Sequence, residues 1–264
     1  MLPQIIDDII EFNGDIRVKG SYRIWQPLMI MLIYVLAVTK LGPWFMKKKK
    51  PYNIKHFIMT FDAIQVIANF YFMHQVISVV MRMTGSYFCL DLDSSDSDLA
   101  RYSLFLTKFY YWLKISDLLD TVFFVLKKSW RQVSYLHLYH HTIMVFLSWL
   151  AIKMAPGGHC AYFGLANSFT HTVMYSYYLL TAYDPSYKTN ISVKKFVTQL
   201  QLVQFVFVFI MYLPTLSRSC PLPSIIGLAA VTQACYFFYL FGMFYYNNYV
   251  KTNKDEEQKG MKTR

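Results

Sequence analysis

The sequence predicts an all-α, polytopic membrane protein with seven transmembrane helices. Of its 264 residues, 55% are hydrophobic and 19% are aromatic, and the mean hydropathy is +0.29, a composition unsuited to a soluble domain. Crossing roughly 30 Å of hydrocarbon takes about 20 mostly apolar residues. Seven stretches qualify, at residues 25–44, 57–80, 104–126, 134–153, 160–182, 196–215 and 224–248. We expect one membrane domain over residues 1–250 and a disordered cytoplasmic tail over residues 251–264.

The basic residues set the orientation. The formal net charge of +11 comes from short clusters after the first, third, fifth and seventh stretches, which fall on one side of the membrane. The positive-inside rule makes that side cytoplasmic and the N-terminus lumenal. Because the charges do not form one polar face, we expect no nucleic-acid partner. A ligand that carries phosphate could use the same charges.

The four cysteines do not have the spacing of a metal site. Cys89 and Cys220 fall on the lumenal side, where an oxidising compartment permits a disulfide between them. Two free thiols are the alternative, and spacing does not decide between the two. Cys235 is expected to be buried in the seventh helix. The glycosylation sequon at Asn190 is cytoplasmic in this topology and should stay unmodified.

A cluster of histidines opens the fourth stretch. His137, His140 and His141 are spaced i, i+3 and i+4, so their rings share one helical face. We call these three residues the histidine box. Polar groups at membrane depth are costly and usually functional, although a lone buried histidine is commonly structural.

The fifth stretch supplies a facing histidine. The turn near residue 156 is about 16 residues from His140 and about 15 from His171, so an antiparallel hairpin places both at similar depth at roughly 1.5 Å per residue. Asn167, His171, Met174 and Tyr178 form one stripe on this helix. The stripe fits either a substrate site or a seam of interhelical hydrogen bonds.

The third stretch carries ionisable residues at membrane depth. Lys114, Asp117 and Thr121 share a face, and the two charged residues either neutralise each other or contact a substrate. Adjacent helical residues diverge by roughly 100°. Asp120 therefore projects to a different side from Thr121, and it could orient a histidine of the box.

Amides and lysines open the sixth stretch. Gln201 and Gln204 share a face and could hold a phosphate, pantetheine or carbonyl group, or bond to a neighbouring helix. Lys194 and Lys195 precede them at the cytoplasmic boundary. Their default role is topological, and phosphate contact is the alternative.

Four segments together resemble the ELO family of very-long-chain fatty acid elongases, and they lie at residues 114–121, 137–141, 167–178 and 198–205. The resemblance implies a seven-helix protein of the endoplasmic reticulum membrane with six helices surrounding an acyl tunnel. It also implies condensation of acyl-CoA with malonyl-CoA to 3-oxoacyl-CoA, CO2 and CoA, without a cofactor or metal. Partners would be these substrates, the bilayer, a second copy of the chain and other fatty acid elongation enzymes.

The resemblance also assigns roles to residues. It implies that His140 takes the acyl group and that His171 assists, while His137 and His141 hold tautomers or shuttle protons. Tyr175 lies in the matching segment and is assigned with it to substrate binding.

One residue departs from the family pattern, and two other functions compete. The family normally has Glu where this chain has Asp117. A di-iron desaturase or hydroxylase also uses His-x-x-His-His, but this chain has 7 His in all, too few for several such boxes. A seven-helix receptor or transporter is the non-enzymatic alternative. Acyl chain length and unsaturation preference stay open.

Overall fold

A computed structural model describes Val18, residues 21–217 and residues 220–251. The N-terminal residues and the predicted tail from residue 252 onward lie outside the described residues. The regular elements that it does describe are, in chain order, α1 (Trp25–Met46), α2 (Lys55–Val80), β1 (Gly85–Ser86), β2 (Cys89–Leu90), α3 (Asp98–Ser116), α4 (Leu118–Leu126), α5 (Tyr135–Met154), α6 (Cys160–Tyr183), α7 (Ile191–Tyr212) and α8 (Ser224–Tyr245).

The predicted fold class is confirmed: the protein is an all-α polytopic membrane protein. Helices α3 and α4 form one bent rod, so the described residues make seven rods where seven spans are predicted. By length and composition, the rods of α1, α2, α7 and α8 are apolar enough to cross a membrane. The other three rods, α3 with α4, α5 and α6, carry most of the polar residues of the predicted site, which lowers their hydropathy.

Capping residues begin three helices. The Ser97 hydroxyl accepts from the N–H of Ala100 at 3.0 Å, and the Asn190 side chain accepts from the N–H of Val193 at 3.2 Å. Both helices therefore start five or six residues before the predicted stretches, because caps satisfy the first N–H groups of polar turns. Ser134 caps α5 in the same way, at 3.3 Å.

A bend at Asp117 separates α3 from α4. Ser116 donates its hydroxyl to the carbonyl oxygen of Leu113 at 2.7 Å, and such side-chain bonds compete with the helical backbone.

Among the described residues, two of the cavities between the rods matter for the site. The larger has a volume of about 310 Å³ and is lined by residues of α4 to α8 and their ends. The smaller, of about 80 Å³, lies nearer the α5–α6 turn and is lined by α2, α3 and α5 to α8. Six rods thus contribute cavity walls, whereas α1 packs outside against α4 and α5 and supplies none of the described lining residues.

One end of the bundle is covered by loops, and we call it the capped end. The α5–α6 turn, residues 154–159, is buried throughout. Gly157 has a φ of +85°, and a Cβ there would lie 2.7 Å from the Cβ of Ser103. The turn therefore requires glycine. The opposite end, which carries the basic loops after α1, α4 and α6, is called the basic end.

His159 fastens the capped end. Its Nδ1 accepts from the N–H of Leu90 at 3.3 Å, and its Nε2–H donates to the carbonyl of Met211 at 2.8 Å. Burial lowers the pKa of this imidazole, partly offset by the Met211 bond. A neutral ring is the form that makes both bonds, since one nitrogen donates and the other accepts.

The predictions for the cysteines have different outcomes. A disulfide joins Cys89 to Cys220, with Cα atoms 5.9 Å apart, so of the two alternatives left open by the sequence the bridge is the one observed. The expectation for Cys235 was wrong, because this residue is exposed. Its neighbour Ala234 occupies the inward position on α8, and one residue of helix turns the next side chain by roughly 100°.

Candidate active site

The histidine box lies near the basic end of α5. His140 is about 8 Å along the helix from its first residue, at roughly 1.5 Å per residue. The ring centroids of His137 and His141 are 4.1 Å apart, and those of His140 and His141 are 5.4 Å apart. The three rings therefore form one cluster, as their spacing predicts.

His171 of α6 faces the box. Its ring centroid lies 6.4 Å from that of His140, at an interplanar angle of 28°, and both rings line the larger cavity. The hairpin argument from chain length is thus confirmed. His140 also packs against Phe237, with centroids 5.2 Å apart, and it makes no hydrogen bond to another described residue. A ring nitrogen of His140 is consequently available to a ligand in the cavity.

Lys114 and Asp117 form a buried ion pair behind His171. Lys114 Nζ donates to Asp117 Oδ2 at 2.8 Å, and the side chains are only 1% and 3% exposed. Gln65 Nε2 donates to the other carboxylate oxygen at 3.1 Å. Neither charged residue lines the larger cavity. Of the two predicted alternatives, mutual neutralisation is the one observed.

The same lysine holds two groups of α6. Lys114 Nζ donates to Asn167 Oδ1 at 2.8 Å and lies 3.5 Å from His171 Nδ1. Tyr110 also donates to Asn167 Oδ1, at 2.8 Å. Because its oxygen is occupied, the amide NH₂ group of Asn167, which has two donors, is left for the cavity that this residue lines.

The expected contact between Asp120 and the box is not observed. Asp120 Oδ2 accepts from the Tyr175 hydroxyl at 2.7 Å, and it is Thr121 that contacts the box, with Oγ1 2.8 Å from His137 Nε2. The two residues do point to different sides, as predicted. Thr121 faces α5 and Asp120 faces α6.

The larger cavity collects eleven of the fifteen residues predicted for the site. They are Asp120, the three residues of the histidine box, Asn167, His171, Met174, Tyr178, Lys194, Gln201 and Gln204. Four predicted residues do not line it: Lys114 and Asp117, the fully buried Tyr175, and Lys195. Since successive helical positions diverge by roughly 100°, Lys195 cannot share the direction of Lys194.

Several polar residues of the site were not predicted from the sequence. Arg131, which belongs to the basic cluster after the third predicted stretch, lines the larger cavity together with Gln132 and Tyr249. Gln65 and Asp62 are 2% exposed on α2, and Asp62 Oδ2 has no hydrogen-bond partner among the described residues. The sequence did contain a signal for Asp62 and Gln65, because two polar residues spaced i, i+3 inside an apolar stretch indicate an inward-facing polar site.

Among the described residues, no three histidine, cysteine, aspartate or glutamate side chains lie close enough together to bind a metal ion.

Residues 21–257 match the sequence model of the ELO family, described as the GNS1/SUR4 family. The chain belongs to the ELO family. The match spans all seven rods, so the resemblance seen in four short motifs extends over the whole membrane domain.

Individual ELO relatives agree with this assignment. The chain is 34% identical over 247 residues to very long chain fatty acid elongase 7 of Rattus norvegicus, covering 90% of this chain and 87% of the relative. It is 32% identical to very long chain fatty acid elongase 1 of Homo sapiens, covering 90% and 88%. A very long chain fatty acid elongase of Aedes aegypti is 34% identical, covering 91% and 68%.

Proposed function

We propose that this protein is a fatty acid elongase, a 3-oxoacyl-CoA synthase that condenses a long-chain acyl-CoA with malonyl-CoA. The products are 3-oxoacyl-CoA, CO2 and CoA, and no cofactor or metal takes part. Its family membership supports elongation. The observation that carries the mechanism is the His140 ring, which faces His171 across a cavity and has no hydrogen bond to a described residue.

In the first half-reaction, a nitrogen lone pair of neutral His140 attacks the thioester carbonyl carbon of acyl-CoA. The carbon–sulfur bond breaks and CoA leaves as a thiolate. This thiolate takes the proton that the acylated ring loses, which gives free CoA and a neutral acyl-imidazole. Such an acyl-imidazole is reactive enough to pass the acyl group onward.

In the second half-reaction, the carbon–carboxylate bond of malonyl-CoA breaks, CO2 leaves, and its electrons form an enolate. The enolate carbon attacks the acyl carbon, the acyl–nitrogen bond breaks, and the ring recovers a proton. One proton is therefore taken up from solvent in each turnover.

Two groups of α6 are suited to stabilise the enolate oxygen. His171 Nδ1 lies 3.5 Å from Lys114 Nζ and 3.5 Å from Asp117 Oδ2, so the ion pair holds this edge of the ring and Nε2 is the nitrogen left for a ligand. The free amide of Asn167 offers a second donor. Donors already aimed at the place where charge develops lower the barrier without reorganisation.

The two cavities suit the two parts of an acyl-CoA. Arg131 and Lys194 stand at the basic end of the larger cavity, where they can contact phosphates. The Gln204 side chain is buried there without a hydrogen-bond partner among the described residues, so its amide is free for pantetheine. The smaller cavity has mostly apolar walls, as an acyl tail requires.

We also propose that the protein resides in the endoplasmic reticulum membrane with its basic end in the cytoplasm. The disulfide at the capped end requires an oxidising compartment, and the basic loops lie at the other end. Expressed in cells, the native sequon at Asn190 should carry no glycan, whereas a sequon inserted into the loop before Ser97 should be glycosylated. A glycan at Asn190 and none at the inserted sequon would contradict this topology and indicate the opposite orientation.

The decisive experiment follows labelled CO2. Purified protein in detergent or nanodiscs should release it from carboxyl-labelled malonyl-CoA only when acyl-CoA is present, and 3-oxoacyl-CoA should form in equal amount. A panel of acyl-CoAs would give the preferred chain length. If no chain length supports release, the condensation proposal fails, and iron analysis and ligand binding would then test the desaturase and receptor alternatives.

A further inference from the structure

A chain of three polar side chains connects the outer helix α1 to the histidine box. The Tyr34 hydroxyl lies 2.6 Å from Thr121 Oγ1, and the same Thr121 oxygen lies 2.8 Å from His137 Nε2. Tyr34 is 6% exposed and Thr121 is fully buried, so the Tyr34–Thr121 bond is shielded from water, and His137 lies at the edge of the larger cavity. We call these three side chains the Tyr34 relay.

The hydrogens of the relay have three possible arrangements. In one, Tyr34 and His137 both donate to Thr121, which leaves the Thr121 hydrogen without an acceptor among the described residues. The other two arrangements are directional. In the inward direction, Tyr34 donates to Thr121 and Thr121 donates to His137 Nε2. In the outward direction, His137 donates to Thr121 and Thr121 donates to the Tyr34 oxygen. The outward direction leaves the Tyr34 hydrogen without an acceptor among the described residues, and burying an unpaired donor is unfavourable. The inward direction is therefore preferred.

The inward direction fixes the state of one catalytic-site ring. A neutral imidazole that accepts at Nε2 must carry its hydrogen on Nδ1. The His137 ring is also held between Phe124, with centroids 5.2 Å apart, and His141 at 4.1 Å. Its orientation and its tautomer are thereby both determined, and the Nδ1 hydrogen lies on the ring edge away from Thr121.

We propose that Tyr34 is a positioning residue for the condensation, acting through Thr121 to hold His137 in the Nδ1–H tautomer. The inference rests on the proposed function for its kinetic consequence. It gives α1 a defined part in the reaction, although this helix lines neither cavity. A fixed tautomer matters because His137 adjoins the two histidines that lie next to the reacting atoms.

The test compares hydroxyl removals in the intact protein. Tyr34→Phe and Thr121→Val should each lower kcat about tenfold, as is usual when the partner that orients a functional histidine is lost, and should leave KM unchanged. The double variant should lose no more than the single ones, because each breaks the same relay. Thr121→Ser keeps the hydroxyl and should retain activity.

Two matched controls isolate the relay. Thr39→Val removes a hydroxyl from the same helix, where it donates to the Val35 carbonyl and to no other described residue. Tyr183→Phe removes a phenol hydroxyl from a side chain that is 71% exposed. Both should keep the kcat of the unmodified protein.

A tautomer measurement separates this inference from the proposed function. In protein labelled with ¹⁵N-histidine, solid-state NMR should show His137 as Nδ1–H, and Tyr34→Phe should add the other tautomer. An unmodified protein without condensation activity defeats the proposed function, and the NMR result still decides the relay. If Tyr34→Phe lowers thermal stability but changes neither kcat nor the ¹⁵N spectrum, the bond is a structural seam and the inference is wrong.

Discussion

His140→Ala is expected to reduce kcat for condensation by about a thousandfold or more, as the loss of an enzyme nucleophile does elsewhere. The proposed route passes through an acyl group on this ring, and no other ring of the box has the same position. His140 faces His171 at 6.4 Å and has no hydrogen bond to satisfy elsewhere among the described residues. Truncating it therefore removes chemistry without leaving an unpaired buried group.

The covalent intermediate gives a second measurement of the same variant. Incubation with acyl-CoA alone should add one acyl group to the unmodified protein, which peptide mass spectrometry would locate on His140. His171→Ala should still become acylated but should release CO2 slowly, because it acts in the second half-reaction. The exposed His74 offers a control, since His74→Ala should behave as the unmodified protein. Activity in His140→Ala, or acylation elsewhere in it, would refute the nucleophile assignment.

Lys114→Met should produce the largest loss of stability among single substitutions at the site. It leaves the Asp117 carboxylate buried without its cation, and breaking a buried ion pair in this way costs roughly 3–5 kcal/mol of unfolding free energy. Asn167 and His171 lose a partner at the same time. Thermal or denaturant unfolding in detergent micelles would measure the change.

A double variant tests whether the loss of stability in Lys114→Met comes from the unpaired Asp117 charge or from the changed shape of the side chain. Lys114→Met combined with Asp117→Asn removes both charges and keeps polar contacts for Gln65 and Tyr175, so it should regain much of the lost stability. It should stay inactive, because Asn167 and His171 are no longer held. Arg101→Ala is the surface control. Its ion pairs with Asp96 and Asp98 are exposed, and such pairs contribute little. Equal losses in the single and double variants would exclude an electrostatic origin.

Much of the fold follows from hydropathy, because the bilayer imposes both the length and the apolar character of each crossing. The position of His171 opposite His140 also follows, since a tight turn between two antiparallel helices makes chain length a measure of depth. The first residues of the helices were harder to predict. Ser97 and Asn190 begin their helices with polar turns that an apolar stretch does not include.

The contacts of the site could not be derived from periodicity. Helical spacing shows that Asp120 and Thr121 point to different sides, but the packing of α4 against α5 and α6 decides which of them contacts the box. Tyr34 likewise is a single tyrosine in the middle of an apolar helix, and the sequence gives it no partner until α1 is seen to pack on α4. Such contacts are set by packing between helices that are far apart in sequence, where helical spacing carries no information.

The covalent link between Cys89 and Cys220 has a consequence for the size of the product. It ties together the two loops that cover the buried α5–α6 turn, which is the floor of the smaller cavity. An acyl chain that enters tail first would meet this floor, and the floor would act as a gauge of chain length. The disulfide therefore holds this gauge in place from the end of the bundle opposite the histidine box.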